Sequence, residues 1–291
     1  MQWRFLDTGS GNAGMNMAVD EAMLQMHDAS APTPTLRVYG WQVPTLSLGY
    51  AQKTDQEVRL QACRQCGVEV VRRPTGGRAV LHDDEVTYSV VMPIDLPDGS
   101  RTLTEHYRLI GLALSVALSR LGLPVMLARP QRSVISRQGT SPACFAALSR
   151  YELSVAGKKL VGSAQKRAQN ALLQHGSMPF TLDRDRLFQC LNVPPEQRAH
   201  LVQDAYVTMT AIHEVAATPI GKADLHEALR HGFSTTFDVE LVPDTLSPAE
   251  QALAQQLYTA KYATSAWNLG GASVWRQSSR TAPALPSEED R

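Results

Sequence analysis

The stretch Arg72-Arg73-Pro74-Thr75-Gly76-Gly77-Arg78-Ala79-Val80-Leu81-His82 limits the choice of fold more than any other part of the chain. A short apolar run (Val68, Val70, Val71) leads into it, Pro-Thr-Gly-Gly breaks it, and Ala-Val-Leu resumes it. This predicts strand, tight turn, strand. Two adjacent glycines carry no Cβ and admit positive φ, so the backbone can turn sharply and let a ligand lie against it. Arg72, Arg73 and Arg78 flank that bare backbone, and amides beside guanidinium groups suit an anionic or carbonyl-bearing guest. Taken alone, the stretch is more simply an arginine-decorated hairpin.

The neighbouring sequence supplies further strands. Val86, Tyr88, Val90 and Met92 alternate with Glu85, Thr87 and Ser89, which predicts a half-buried strand antiparallel to its neighbour. Residues 3–7, 36–39 and 46–50 also have strand character, as does 172–178. Tyr151 to Val155, a turn at Ala156-Gly157 and a returning strand from Lys158 to Ser163 form a second hairpin. Helices cover these strands. Met15, Val19, Ala22, Met23 and Met26 recur at helical spacing, with Asp20 and Glu21 on the other side. Asp55 to Gln65 forms a short helix stopped by Gly67, and Thr102-x-x-Glu105 is a capping box opening a helix from Leu103 to Leu121. Shorter helical patterns surround Leu187 and run from Leu225 to Phe233; Ser247-Pro248-Ala249-Glu250 starts a last helix ending near Tyr262. The fold class is α+β, strand-rich and mostly hairpin-connected.

Composition excludes several function classes. Lys plus Arg (28) equals Asp plus Glu (28), which argues against broad nucleic-acid or anionic-membrane binding. No apolar run reaches the roughly 18 residues of a membrane span, and Met1-Gln2-Trp3-Arg4 does not read as a signal peptide, so the cytoplasm is expected. Four cysteines in a chain this long do not make a disulfide framework. Cys63-x-x-Cys66 has no second pair to complete a zinc site, and both read as small buried or semi-buried residues.

The candidate nucleophile is Cys144, in Ser141-Pro142-Ala143-Cys144-Phe145, because it follows a loop over 128–142 whereas Cys63, Cys66 and Cys190 fall within helical patterns. Its candidate partner is Lys159, since a nearby ammonium stabilises a thiolate. Strand alternation allows only one of Lys158 and Lys159 to face a site; otherwise both are solvated hairpin charges. Gly157-Lys158 is not a phosphate-binding loop, and the eight histidines do not cluster like metal ligands. His82 and His175 either line a pocket or fill satisfied structural roles.

Together with the arginine-glycine stretch, Lys159-Leu160-Val161-Gly162-Ser163-Ala164-Gln165 and Gln174-His175-Gly176-Ser177 resemble the lipoate–protein ligase, octanoyltransferase and biotin–protein ligase superfamily. The likeness extends from about Trp3 to Asn268 and takes in Lys261-Tyr262 and Trp267-Asn268. The resemblance implies a central, mostly antiparallel sheet flanked by helices. It also implies a catalytic domain over 1–240 and a helical C-terminal extension over 241–269; beyond Leu269 the Gly, Ser, Pro and charged composition itself predicts a disordered tail, placed over 270–291. Substrate-binding positions would be Arg72, Arg73, Gly76, Gly77 and His82 on one side, and Gly162, Ser163, Ala164 and His175 on the other. Cys144, fifteen residues before Lys159, resembles the nucleophile of cysteine-dependent octanoyltransferases. These take octanoate from acyl carrier protein as an enzyme thioester and pass it to a lysine of a lipoyl domain or glycine-cleavage H protein.

That reading needs no cofactor and no metal. A lipoate ligase would need ATP and Mg, and its cysteine would be incidental. An octanoyl amidotransferase between lipoyl proteins is a further alternative, as is a non-catalytic binder of acyl groups or lipoyl domains. No nucleic acid and no membrane partner is expected.

Overall fold

The computed structural model describes residues 1–27, 33–95, 102–128, 151–168 and 170–281. The chain opens with β1 (Gln2–Gly11), α1 (Ala13–Met26), β2 (Thr35–Trp41) and β3 (Thr45–Leu48). Next come α2 (Thr54–Glu57), α3 (Leu60–Gln65), β4 (Glu69–Arg72), β5 (Val80–His82), β6 (Glu85–Pro93) and α4 (Leu103–Arg120). Then follow β7 (Met126–Leu127), β8 (Leu153–Val155), β9 (Lys158–Lys159), β10 (Gly162–Ala168) and β11 (Ala171–Pro179). The rest holds α5 (Arg184–Cys190), α6 (Pro195–Thr208), α7 (Ile212–Val215), α8 (Lys222–Phe237), β12 (Glu240–Pro243) and α9 (Pro248–Leu257). After a π-helical turn, Tyr258–Tyr262, come α10 (Ser265–Asn268) and α11 (Gly271–Thr281).

A six-stranded sheet runs in the order β10-β11-β6-β2-β1-β12, antiparallel as far as β2 and parallel beyond it. The α+β class holds, with two helical crossovers among the hairpin connections: β1 and β2 are parallel across α1, and β3 and β4 are parallel across α2 and α3. Strand alternation sorts the two faces. Phe5, Val38, Val90 and Leu172 point to a core closed by α4 and α8, while Leu6, Val91 and Leu173 point to α1 and α9. The capping boxes at Thr102/Glu105 and Ser247/Glu250 are both made. No helix among the described residues is long and apolar enough to cross a membrane.

The structure departs from sequence expectation at several points that shape the site. β4 and β5 do not pair with each other; both flank β3, one parallel and one antiparallel. The Pro-Thr-Gly-Gly segment is therefore no tight hairpin but an arch crossing the end of β3, because alternation along two runs does not reveal a third strand between them. β6 is buried on both faces, its Glu85, Thr87 and Ser89 included, because α1 and the small sheet cover its polar side. Asp20 and Glu21 are likewise buried. α1 is enclosed between the sheet, where Arg37 meets Asp20, and the C-terminal segment, where Lys261 meets Glu21.

The helix expected over 55–65 is broken at Val58, which bridges to Leu191. The strand expected from Lys158 to Ser163 is two strands in different sheets, joined by the buried Leu160 and Val161. Within the stretch expected as a tail, α11 packs the Trp275 ring edge-on against Trp267 at 5.7 Å and donates its indole N–H to the Ala260 carbonyl.

Candidate active site

The arch is built on contacts that explain its glycines. Arg73 N donates to Leu48 O at 2.9 Å and Tyr50 N to Thr75 O at 2.8 Å, so the arch lies directly over the end of β3. A Cβ on Gly49 would stand 2.0 Å from the Gly77 carbonyl oxygen, so that approach needs glycine. Gly77 has φ +92°, the left-handed region that a side chain strains. Gly76 differs: its φ is ordinary and nothing lies within 4 Å of where its Cβ would be, leaving room for a guest rather than for the protein's own atoms.

Arg72 and Arg73 have separate tasks. Arg72 is buried and spends its guanidinium on the carbonyls of Trp267, Gly49 and Gln52 and on the Thr54 hydroxyl, while the Trp267 indole donates to Arg72 O. It fastens the C-terminal segment to the small sheet and does not reach the pocket wall. Arg73 does line the pocket, holding Gly76 O and Arg78 O at 2.7 Å each and Ser47 Oγ at 3.1 Å.

The pocket lies between the arch side of the small sheet and the α1 face of the large one, and encloses about 380 Å³ of empty space including its open mouth. Met17, Tyr39, Trp41 and Val80 give it an apolar wall. The structure brings Arg73, His82, Gly162, Ser163, Ala164 and His175 together around it. Gly76 and Gly77 do not line it; the arch is linked to it by Arg73, which holds Gly76 O, and by Thr75, which meets His175.

Both histidines line the pocket and are internally satisfied. His175 Nδ1 meets Asp20 Oδ2 at 2.9 Å and its Nε2 meets Thr75 Oγ1 at 2.7 Å. His82 Nδ1 meets Glu85 Oε1 at 2.9 Å and its Nε2 meets Ser47 Oγ at 2.8 Å, with the ring stacked on Trp41 at 4.2 Å. Burial pushes the His175 pKa below the ordinary value despite Asp20 beside it. Burial alone would raise Asp20 and Glu85. Arg37 and His175 hold the first below the usual carboxylate range; His82 with the Ser177 and Thr87 hydroxyls does so for the second.

β8 and β9 are joined at Ala156-Gly157, both at positive φ (48° and 81°), the turn that matches strand twist. This hairpin turns Lys158 outward, where its Nζ meets Tyr206 O, and buries Lys159 with its Nζ 2.6 Å from Glu152 Oε1. A more open hollow beside the pocket is lined by Leu103, Tyr107, Tyr151, Glu152 and Gln165, and Ser163 belongs to both walls. Ser163 Oγ is held by Tyr88 Oη at 2.7 Å, whose pKa burial raises to about 12.

Cys144 lies outside the described residues. The chain leaves them at Ala128 and returns at Tyr151, and these two ends are paired: Tyr151 N donates to Ala128 O and Ala128 N to Glu152 O.

Sequence reasoning missed Glu152, Asp20, Glu85 and Ser47. Glu152, just before β8, and Glu85, three residues from His82, carried a local signal. Asp20 and Ser47 became partners through pairings between distant elements.

An apolar pocket walled by polar relays, adjoined at Ser163 by a hollow lined by Glu152, is suited to holding an acyl chain beside its reacting end. Residues 12–234 match the family described as the lipoyl protein ligase A/B catalytic domain. The chain is 43% identical over 272 residues to octanoyltransferase LipM of Brevibacillus brevis, covering 92% of this chain and 99% of that protein. It is 44% identical over 269 residues to octanoyltransferase LipM of Kyrpidia tusciae, covering 91% and 98%. Among solved structures it is similar to the bi-partite lipoate protein ligase of a Thermoplasma acidophilum lipoylation system, with TM-score 0.78 and 28% identity, covering 93% and 97%. The chain belongs to the lipoyl protein ligase A/B catalytic domain family, and it is an acyltransferase.

Proposed function

We propose that the protein transfers an octanoyl group from octanoyl-acyl carrier protein to one lysine of a lipoyl domain or glycine-cleavage H protein, through a thioester on Cys144. The observation that carries this reading is the meeting of three features at one rim. The apolar pocket ends at Ser163, the adjoining hollow holds Glu152 with its buried partner Lys159, and the segment containing Cys144 leaves and returns at that hollow. Cys144 stands seven positions before Tyr151 in the sequence, a span of at most about 25 Å of extended chain.

In the first half-reaction the Cys144 thiolate attacks the donor's carbonyl carbon. The bond to the phosphopantetheine sulfur breaks, and that thiolate leaves. In the second, the neutral amine of the acceptor lysine attacks the Cys144 thioester. The amide forms, the Cys144 thiolate departs, and the amine's surplus proton is released. Exchange between thioesters is nearly even and aminolysis is downhill, so no nucleotide is required. Lys159, held by Glu152, contributes positive charge to the thiolate and to the oxyanion of each tetrahedral intermediate.

Activity measured with octanoyl-carrier protein without nucleotide, against free octanoate or lipoate with ATP and Mg, tests the reading. Transfer from the carrier protein alone supports it, whereas transfer only in the ATP arm makes the protein a ligase. An octanoylated lipoyl protein as sole donor identifies an amidotransferase.

A further inference from the structure

Two hydrogen-bond chains of the same composition, carboxylate to imidazole to hydroxyl, end on the glycine arch from opposite sheets. One runs Asp20, His175, Thr75, and fixes the arch to the central sheet. The other runs Glu85, His82, Ser47 and continues through Arg73 Nη1 to the carbonyls of Gly76 and Arg78. Ser47 Oγ, His82, Thr75 and Arg73 are all buried.

The direction of each chain follows from its carboxylate. Asp20 and Glu85, both held ionised, can only accept, so the Nδ1 of each imidazole donates. In a neutral ring Nε2 then accepts a hydrogen bond, from the Thr75 hydroxyl in one chain and from the Ser47 hydroxyl in the other. With its O–H directed at His82, Ser47 Oγ presents a lone pair to Arg73 Nη1, and the rest of that guanidinium draws in Gly76 O and Arg78 O. With those carbonyls committed inward, the Gly76 and Gly77 amides take no partner among the described residues.

We infer that Ser47 and Thr75 are positioning residues, acting through Arg73 and through the arch backbone to hold Gly76-Gly77 in the shape that receives the acyl donor. This rests on the octanoyl reading and on the substrate-binding role that the resemblance gives Gly76 and Gly77. A serine in a β3 strand and a threonine before the glycines thus tune substrate affinity without touching the reacting atoms.

The test uses Ser47→Ala, which removes the link to Arg73, and Ser47→Thr, which restores a hydroxyl. Thr75→Val breaks the other chain at nearly constant volume. Two readouts are needed. Substrate-free hydrogen exchange at the Tyr50 and Arg73 amides, which bond across the arch, reports its order; steady-state kinetics with octanoyl-carrier protein report KM and kcat separately. Ser47→Ala and Thr75→Val are each expected to exchange about tenfold faster and raise KM about tenfold, the weight of one hydrogen bond, with kcat within about twofold of wild type. Ser47→Thr is expected to recover both. Unchanged exchange in Ser47→Ala and Thr75→Val overturns the inference, whatever the activity. Faster exchange with unchanged KM overturns the claim that the arch receives the donor, and the positioning role with it. The exchange arm needs no substrate, so failure of the relay is distinguishable from failure of the octanoyl reading.

Discussion

Gly49 and Gly76 stand on two sides of one contact, and the structure gives their substitutions opposite outcomes. A Cβ on Gly49 would lie 2.0 Å from Gly77 O and 2.8 Å from Gly77 C, both backbone atoms, so the arch must shift by more than about 1 Å to accept it. Such overpacking costs about 1–3 kcal/mol. The shift also strains the Tyr50–Thr75 and Arg73–Leu48 backbone bonds, each worth about 1 kcal/mol. Gly49→Ala is thus expected to destabilise the protein by about 3 kcal/mol, or roughly 6–12 °C in Tm at about 2–4 °C per kcal/mol. Gly76→Ala adds a methyl where nothing lies within 4 Å, at an ordinary φ, and is expected to leave stability within about 0.5 kcal/mol of wild type. If the arch seats the donor, as the resemblance implies for Gly76 and Gly77, the methyl intrudes on that contact and acyl loading should fall about 100-fold. Calorimetry and intact-mass loading kinetics on the two variants read both effects. A Gly49→Ala protein melting within 2 °C (about 0.5–1 kcal/mol) of wild type refutes the arch geometry, and a Gly76→Ala protein that loads normally refutes the arch as the donor's seat.

Three further expectations concern buried charge. Lys159→Met removes the ammonium 2.6 Å from Glu152, and should cost about 3 kcal/mol and abolish transfer, while the Lys159→Met/Glu152→Gln double variant should regain stability but not activity; urea denaturation beside transfer assays checks this. Arg72→Lys loses the planar fork that spans Trp267 O, Gly49 O, Gln52 O and Thr54 Oγ1, and should lower stability by about 3 kcal/mol in the same denaturation experiment. The third is a pH dependence. Because the folded His175 pKa lies below its unfolded value, the unfolded chain binds the extra proton first, so stability is intact above about pH 6.5 and declines below it. Asp20, lowered in the fold, adds a second decline as pH falls below about 4 through its folded pKa. His175→Gln should remove the first phase and leave the second in denaturation curves collected across pH.

What could be read from the sequence was what local chemistry decides. Thr102 with Glu105 and Ser247 with Glu250 announce helix starts because the cap is made within three residues. Ala156-Gly157 announces a hairpin because both residues take positive φ. Histidines 82 and 175 fall beside recognisable motifs and do line the pocket. What stayed hidden depends on which strand becomes whose neighbour. Insertion of β3 between β4 and β5 converts an apparent hairpin into an arch, and brings Ser47 to His82, thirty-five residues away. Asp20 and Glu21 carry the charge pattern of a solvated helix face, yet lie buried, Asp20 against Arg37 of the sheet and Glu21 because the C-terminal segment, some 240 residues on, returns to cover α1 with Lys261 and Tyr262. The same return orders α11, whose sequence is polar enough to suggest a free tail. Its anchors are Trp275 on Trp267 and the Lys261 ammonium 5.2 Å from the Trp275 ring.

The central claim is that the acyl group passes through a covalent bond to one sulfur. Intact-mass analysis after mixing the protein with octanoyl-carrier protein, without nucleotide and without acceptor, addresses it directly. The account expects wild type to gain the mass of one octanoyl group, removable by hydroxylamine and mapped to Cys144, and Cys144→Ala to gain none and to be inactive. A Cys144→Ala protein that transfers octanoate at the wild-type rate would contradict it.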